Sequence, residues 1–125
     1  MSVKKFIKDN RIKQVTLVLY VPESHADAIR EAISQAGGGV LGNYEACSFS
    51  IKGISRFTPK AGATPAIGKV GVPQEVIEER IEMVCPYKKL KEIITIIKKE
   101  HPYEEIAFNV YPIISSASSF QRIAG

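Results

Sequence analysis

Two matching strand–helix–strand passages joined by a long basic connection predict an α+β sandwich. Four antiparallel strands in βαββαβ order carry two helices on one face, the ferredoxin-like arrangement. Three observations support this. Short β-branched runs alternate with stretches of helical periodicity; a proline closes the first strand of each passage; and the second passage repeats the order of the first. The 125 residues suit one domain with a real core. They divide into a basic N-terminal arm over residues 1–13, a folded domain over 14–112 with a central loop at 52–75, and a serine-rich tail over 113–125.

The first strand is the apolar run at residues 15–21, closed by Pro22. Ser24 and Asp27 form a capping-box pattern, and Ile29, Ala32, Ile33 and Ala36 follow at helical spacing. Gly37 suits the left-handed position that ends such a helix. A second strand is expected over about residues 42–51, burying Cys47, Phe49 and Ile51 against Ala46, Ser48 and Ser50 on the polar side. The third strand, at residues 76–85, puts Ile77, Ile81, Met83 and Cys85 inward and Glu78, Arg80 and Glu82 outward, and Pro86 closes it. Leu90, Ile93, Ile94 and Ile97 mark the second helix, which Pro102 stops by disfavouring helix at His101. Ile106, Phe108 and Val110 alternate with Ala107, Asn109 and Tyr111 in the last strand. The uncovered sheet face carries Val18, Tyr20, Val84 and Tyr111, which predicts an oligomer that covers it.

Composition narrows the function. Hydrophobic residues make up 45% and charged residues 24%, as in ordinary globular proteins. No apolar run approaches the roughly 20 residues of a membrane span, and the basic arm is followed by no signal-type apolar stretch. A net charge of +4 without aromatic–basic interleaving argues against nucleic acid. Cys47 and Cys85, in separate strand-like segments, read as free thiols of a cytoplasmic protein.

Two glycine patterns fail as nucleotide signatures. Residues 37–42 fit G-x-G-x-x-G, but they follow a helix and lead into a strand, the reverse of a dinucleotide site. Residues 62–69 resemble a phosphate loop with one residue too many, and Val70 stands where a magnesium-binding hydroxyl belongs. A looser nest remains, in which amides near Gly62 and Gly68 hold an anion with Lys60 and Lys69, and Arg56 of the same basic segment is a further ligand-binding candidate. A solvated loop without a ligand is the alternative.

The segment His101, Pro102, Tyr103, Glu104, Glu105 joins the second helix to the last strand. Histidine with neighbouring carboxylates can bind a cation or move a proton. Strand alternation separates Glu104 from Glu105, so a divalent metal on His101 and Glu104 would lack its remaining ligands. Packing at a helix end or a subunit contact is the plainer role for His101 and Tyr103.

These residues also carry a resemblance. Residues 39–44 with Cys47 and Phe49, Phe57-Thr58-Pro59, Gly62-Ala63, residues 65–68, residues 79–82 and residues 101–105 come in the order and spacing of a PII-like, CutA-like domain. That domain is the one inserted into many bacterial Nif-three-like proteins, and the likeness spans about residues 15–111. It implies a ferredoxin-like subunit in a homotrimer with clefts between subunits, where PII proteins bind nucleotides and use a long central loop to touch partners. The large part of Nif-three-like proteins that holds a dinuclear metal site has no counterpart in these residues, so the expectation leans away from an enzyme. The leading expectation is a trimeric sensor or regulatory module binding a small anion, nucleotide or divalent metal. Alternatives are a protein-interaction module using residues 53–74 and, third, a small hydrolase using His101 and a glutamate.

Overall fold

The computed structural model describes residues 2–114. The chain runs α1 (Val3–Asp9), β1 (Gln14–Pro22), α2 (Glu23–Gln35), β2 (Phe49–Phe57), β3 (Gln74–Pro86), α3 (Leu90–Glu100) and β4 (Phe108–Pro112), with one 3-10 turn at Tyr87–Lys89 leading into α3. The strands form a single antiparallel sheet in the order β2-β3-β1-β4. Alternation along β1 sends Val15, Leu17, Leu19 and Val21 to one face. There they meet Ile81, Met83 and Cys85 of β3, Ala26, Ile29 and Ile33 of α2, and Ile93 and Ile97 of α3 in one core. This is the predicted sandwich, with one further helix.

That helix is the basic arm. Ser2 caps it by accepting from the Lys5 amide at 3.1 Å, and Lys5 pairs with Asp9 one turn on. Ile7 and Ile12 are buried, so the arm folds onto the domain.

The start of α2 differs from expectation. Pro22 occupies the N-cap and offers no side-chain hydrogen bond, so the helix begins at Glu23 and the expected cap Ser24 sits inside the first turn. Proline has the backbone conformation to leave a strand and enter a helix directly. The other end follows expectation. Gly37 lies at φ 103°, its amide donates to Ser34 O (3.0 Å), and the Gly38 amide donates to Ile33 O (2.9 Å), a Schellman closure. A Cβ on Gly38 would stand 2.6 Å from Ile33 Cγ2, so helix and β3 meet over bare backbone. The glycine run is a helix stop.

The second strand lies later than residues 42–51. Gly39 and Gly42, with Ala46 at φ 56°, curl residues 39–48 into a loop that closes from Cys47 N to Gly39 O at 2.8 Å. Extended structure begins only at Phe49 and then pairs with β3 in unbroken register to Phe57. The connection to β3 is therefore residues 58–73, shorter than the expected loop. Phe49 and Ile51 face away from the helices and are 59% and 52% exposed, the reverse of the expected burial. Ile77 is exposed too, beyond the reach of the helices.

The uncovered face is as expected in its membership. Register places Val18, Tyr20, Val84 and Tyr111 on it, beside Phe49 and Ile51. Val18, at the centre, is buried within the single chain. Of the serine-rich tail only Ile113 and Ile114 fall within the described residues.

Candidate functional site

The C-terminal end of α3 sets the site. His101 leaves helical geometry at φ −79°, ψ 134°, as a residue before proline must, and its ring turns inward. Its Nδ1 accepts the Tyr103 amide at 3.1 Å, which leaves the proton on Nε2 to be donated to the Tyr20 carbonyl at 2.8 Å. Burial lowers the imidazole pKa, so the ring is neutral and both nitrogens serve backbone groups. A metal on His101 would have to break one of these bonds. The ring thus ties the end of α3 to β1, while Glu104 has a different partner.

Tyr103 packs between that ring, at 5.0 Å between centroids, and Phe57 at the end of β2, at 6.1 Å. Glu104 points the other way, toward the loop. Its Oε1 accepts the Thr64 amide at 2.7 Å and fastens residues 58–73 to the corner. The base of the loop is closed by the Gly71 amide on Pro59 O at 2.7 Å. A loop tied at both places encloses space.

The chamber beneath it, half open to solvent, is about 300 Å³, small for a ligand site but within range. Phe57, Pro59, Pro65, Ile67 and Tyr20 supply apolar walls, and Arg56, Glu78, Tyr103, Glu104 and Glu105 supply polar groups. Of the residues expected from sequence, Arg56, Tyr103, Glu104 and Glu105 therefore share one cavity. Lys60, Gly62, Gly68, Lys69 and His101 do not line it. The basic character of the segment is partly spent locally: Lys52 belongs to β2 and pairs with Glu23 at 3.0 Å, and Arg56 pairs with Glu75 at 3.0 Å. Such exposed pairs are screened by solvent and contribute little to stability.

The sequence reading missed Glu78. It alternates outward from the helices, as expected, yet it is only 5% exposed because the loop and Tyr103 cover it. Opposite it in β2 stands Gly53, which leaves the cleft above open. Glu78 Oε2 and the Tyr103 hydroxyl are both buried and make no hydrogen bond of good geometry, but they lie near enough for the phenol to turn toward this carboxylate. Burial, reinforced by the Glu78 carboxylate, raises the Tyr103 pKa and keeps the phenol protonated. Glu78 also borders a second cleft of about 240 Å³ on the open sheet face, with Ile51, Gly53 and Arg80. Among the described residues no cluster of three or more His, Cys, Asp or Glu is arranged to hold a metal ion.

No protein-family model matches the chain. Curated relatives do. The chain is 43% identical over 97 residues to a Bacillus subtilis protein named GTP cyclohydrolase 1 type 2 homolog, a match covering 78% of this chain and 26% of that one. A Mycobacterium tuberculosis protein of the same name is 40% identical over the same shares. A solved Bacillus cereus protein related to NIF3 superposes with TM-score 0.71 at 36% identity, over 82% of this chain and 26% of that one. CutA from Synechococcus elongatus superposes with TM-score 0.63 over 89% of this chain and 86% of that one, and at 15% identity this shows the fold alone. The chain thus spans about a quarter of the length of the curated relatives it matches.

Proposed function

The chain is a NIF3-like domain of CutA-like fold, and from that premise we propose that it is a regulatory module that binds a small ligand under the 58–73 loop. The observation that carries this reading is the chamber itself: a largely apolar cleft under the loop with a buried carboxylate, Glu78, beside the Tyr103 hydroxyl in its wall. Assembly as a homotrimer over the open sheet face belongs to the same proposal. It is supported by the exposed row of Phe49, Ile51 and Tyr111 and by the trimers that the family resemblance implies. The free thiols Cys47 and Cys85 support a cytoplasmic setting.

The cyclohydrolase name belongs to proteins of which this chain spans about a quarter, and its activity is not carried over here. A hydrolase built on His101 is poorly supported, because both ring nitrogens already serve backbone groups.

One observation favours a second reading. Ile67, Val70 and Val72 of the loop are exposed beside Lys60 and Lys69, a surface suited to a protein partner. One experiment separates the two. Thermal unfolding of the purified protein is followed with nucleotides, phosphate, divalent metals and small organic cations. A ligand at a hundred times its Kd adds about 2.7 kcal/mol to native stability and raises the melting temperature. A flat response to every class rejects the ligand-binding reading and leaves the interaction module.

A further inference from the structure

The chamber under the loop is richer in carboxylate acceptors than in charged donors, with Glu78, Glu104 and Glu105 set against Arg56. Glu78 carries two carboxylate oxygens with about four acceptor positions, and Oε2 makes no hydrogen bond of good geometry. The Tyr103 hydroxyl has one hydrogen to give. Even when it is given to Glu78, lone pairs on both groups remain unused. Glu104 and Glu105 add negative charge at the rim, and the cation lining the space among the described residues, Arg56, gives its Nε to Glu75. An anion entering here meets these carboxylates, against which stand only the neutral hydroxyls of Ser55 and Thr58 and the outer nitrogens of Arg56.

A divalent metal is no better served. It would have one buried carboxylate, a phenol that keeps its proton, and an imidazole with both nitrogens occupied. Phe57 and Tyr103 offer aromatic surface, and Pro65 and Ile67 aliphatic surface. An aromatic wall beside a buried carboxylate favours a cation with an apolar body.

We propose that the ligand of this chamber is a small organic cation bearing N–H donors, a protonated amine or guanidinium with an apolar group, which donates to the Glu78 carboxylate. This rests on the reading above that the chamber is a binding site. It names the ligand class, which the basic loop would have led one to expect to be anionic.

The test uses the full chain in an amine-free buffer. Benzylammonium and agmatine serve as N–H cations, tetramethylammonium as a cation without a donor, and phosphate and ATP as anions. Melting temperature and calorimetric Kd are measured for wild type, Glu78→Gln and Tyr103→Phe, with circular dichroism confirming that each variant is folded. At least one N–H cation is expected to bind and raise the melting temperature, with tetramethylammonium weaker by about tenfold or more. Glu78→Gln is expected to weaken that cation by about tenfold or more, and Tyr103→Phe to alter its binding by a smaller factor. Should Glu78→Gln fail to fold, the tetramethylammonium comparison decides. Equal affinity of wild type and Glu78→Gln overturns the inference, as does equal affinity for tetramethylammonium. Binding of phosphate or ATP without binding of any amine overturns it while leaving the ligand-binding reading intact. No binding by any compound overturns both and assigns the chamber to water.

Discussion

The carboxylate of Glu104 holds the backbone amide of Thr64 at 2.7 Å, joining the middle of a long loop to the corner between α3 and β4. This charged acceptor is the side-chain tie between that corner and the loop. Replacing Glu104 with alanine is expected to lower global stability by only about 0.5–1.5 kcal/mol, since the group is exposed. Its local effect is expected to be larger. The Thr64 amide should lose its protection in hydrogen exchange while the core amides of β1 and β3 keep theirs. Unchanged exchange at Thr64 would show that the loop is held by other contacts.

His101 should make stability depend on pH in a stated direction. Burial places its folded pKa below the unfolded value near 6.5, so in acid the unfolded chain binds the extra proton first. The stability tied to the neutral ring is fully present above about pH 6.5 and declines as pH falls toward and through the folded pKa. Urea midpoints measured from pH 7.5 downward should fall over this range in wild type. In His101→Gln they should start lower and vary less. An identical slope in the variant would remove His101 as the cause.

Two glycines should respond oppositely to the same change. A Cβ at Gly38 would lie 2.6 Å from Ile33 Cγ2 and 3.1 Å from Cys85 Sγ, so Gly38→Ala overpacks the seam between α2 and β3 and should cost about 1–3 kcal/mol. At Gly53 a Cβ would meet nothing within 4 Å, and Gly53→Ala should leave stability within about 0.5 kcal/mol of wild type or raise it slightly. Denaturant unfolding of the two variants side by side is the measurement. Equal losses would contradict this account.

The two thiols should differ in reactivity. Burial pushes Cys85 up to about 11, so at pH 8 only about one molecule in a thousand carries its thiolate. Cys47 is half-buried in the loop before β2. A thiol reagent should therefore titrate Cys47 in the native protein and both cysteines after denaturation. Rapid labelling of Cys85 in the native state would mean that the α2–β3 seam opens.

The sandwich was readable because its strands and helices are written in strong local periods. Val15, Leu17 and Leu19 alternate, Ile93 and Ile97 repeat at helical spacing, and Pro22 and Pro102 punctuate them. The second strand was misplaced for a physical reason. Its apolar residues Phe49 and Ile51 alternate as a half-buried strand would, yet the face they form is the uncovered one. Alternation reports that a strand has two faces and says nothing about which is covered. The candidate site was half legible. Tyr103, Glu104 and Glu105 stood out as a cluster of chemically capable side chains, and the cavity does gather them. Glu78 escaped because a lone glutamate on the polar side of a strand is ordinarily solvated. Only the path of residues 58–73 across that side, a long-range property, takes water away from it.

Glu78 borders both the chamber under the loop and the cleft on the open sheet face. Any molecule that enters beneath the loop and any surface that settles on the sheet approach the same carboxylate from opposite sides. One negative charge cannot be fully neutralised twice, so the two events are thermodynamically coupled. By linkage, each alters the equilibrium constant of the other by the same factor. The wall between the two spaces, which Glu78 shares with Tyr20 and Ser55, is thereby a point of communication.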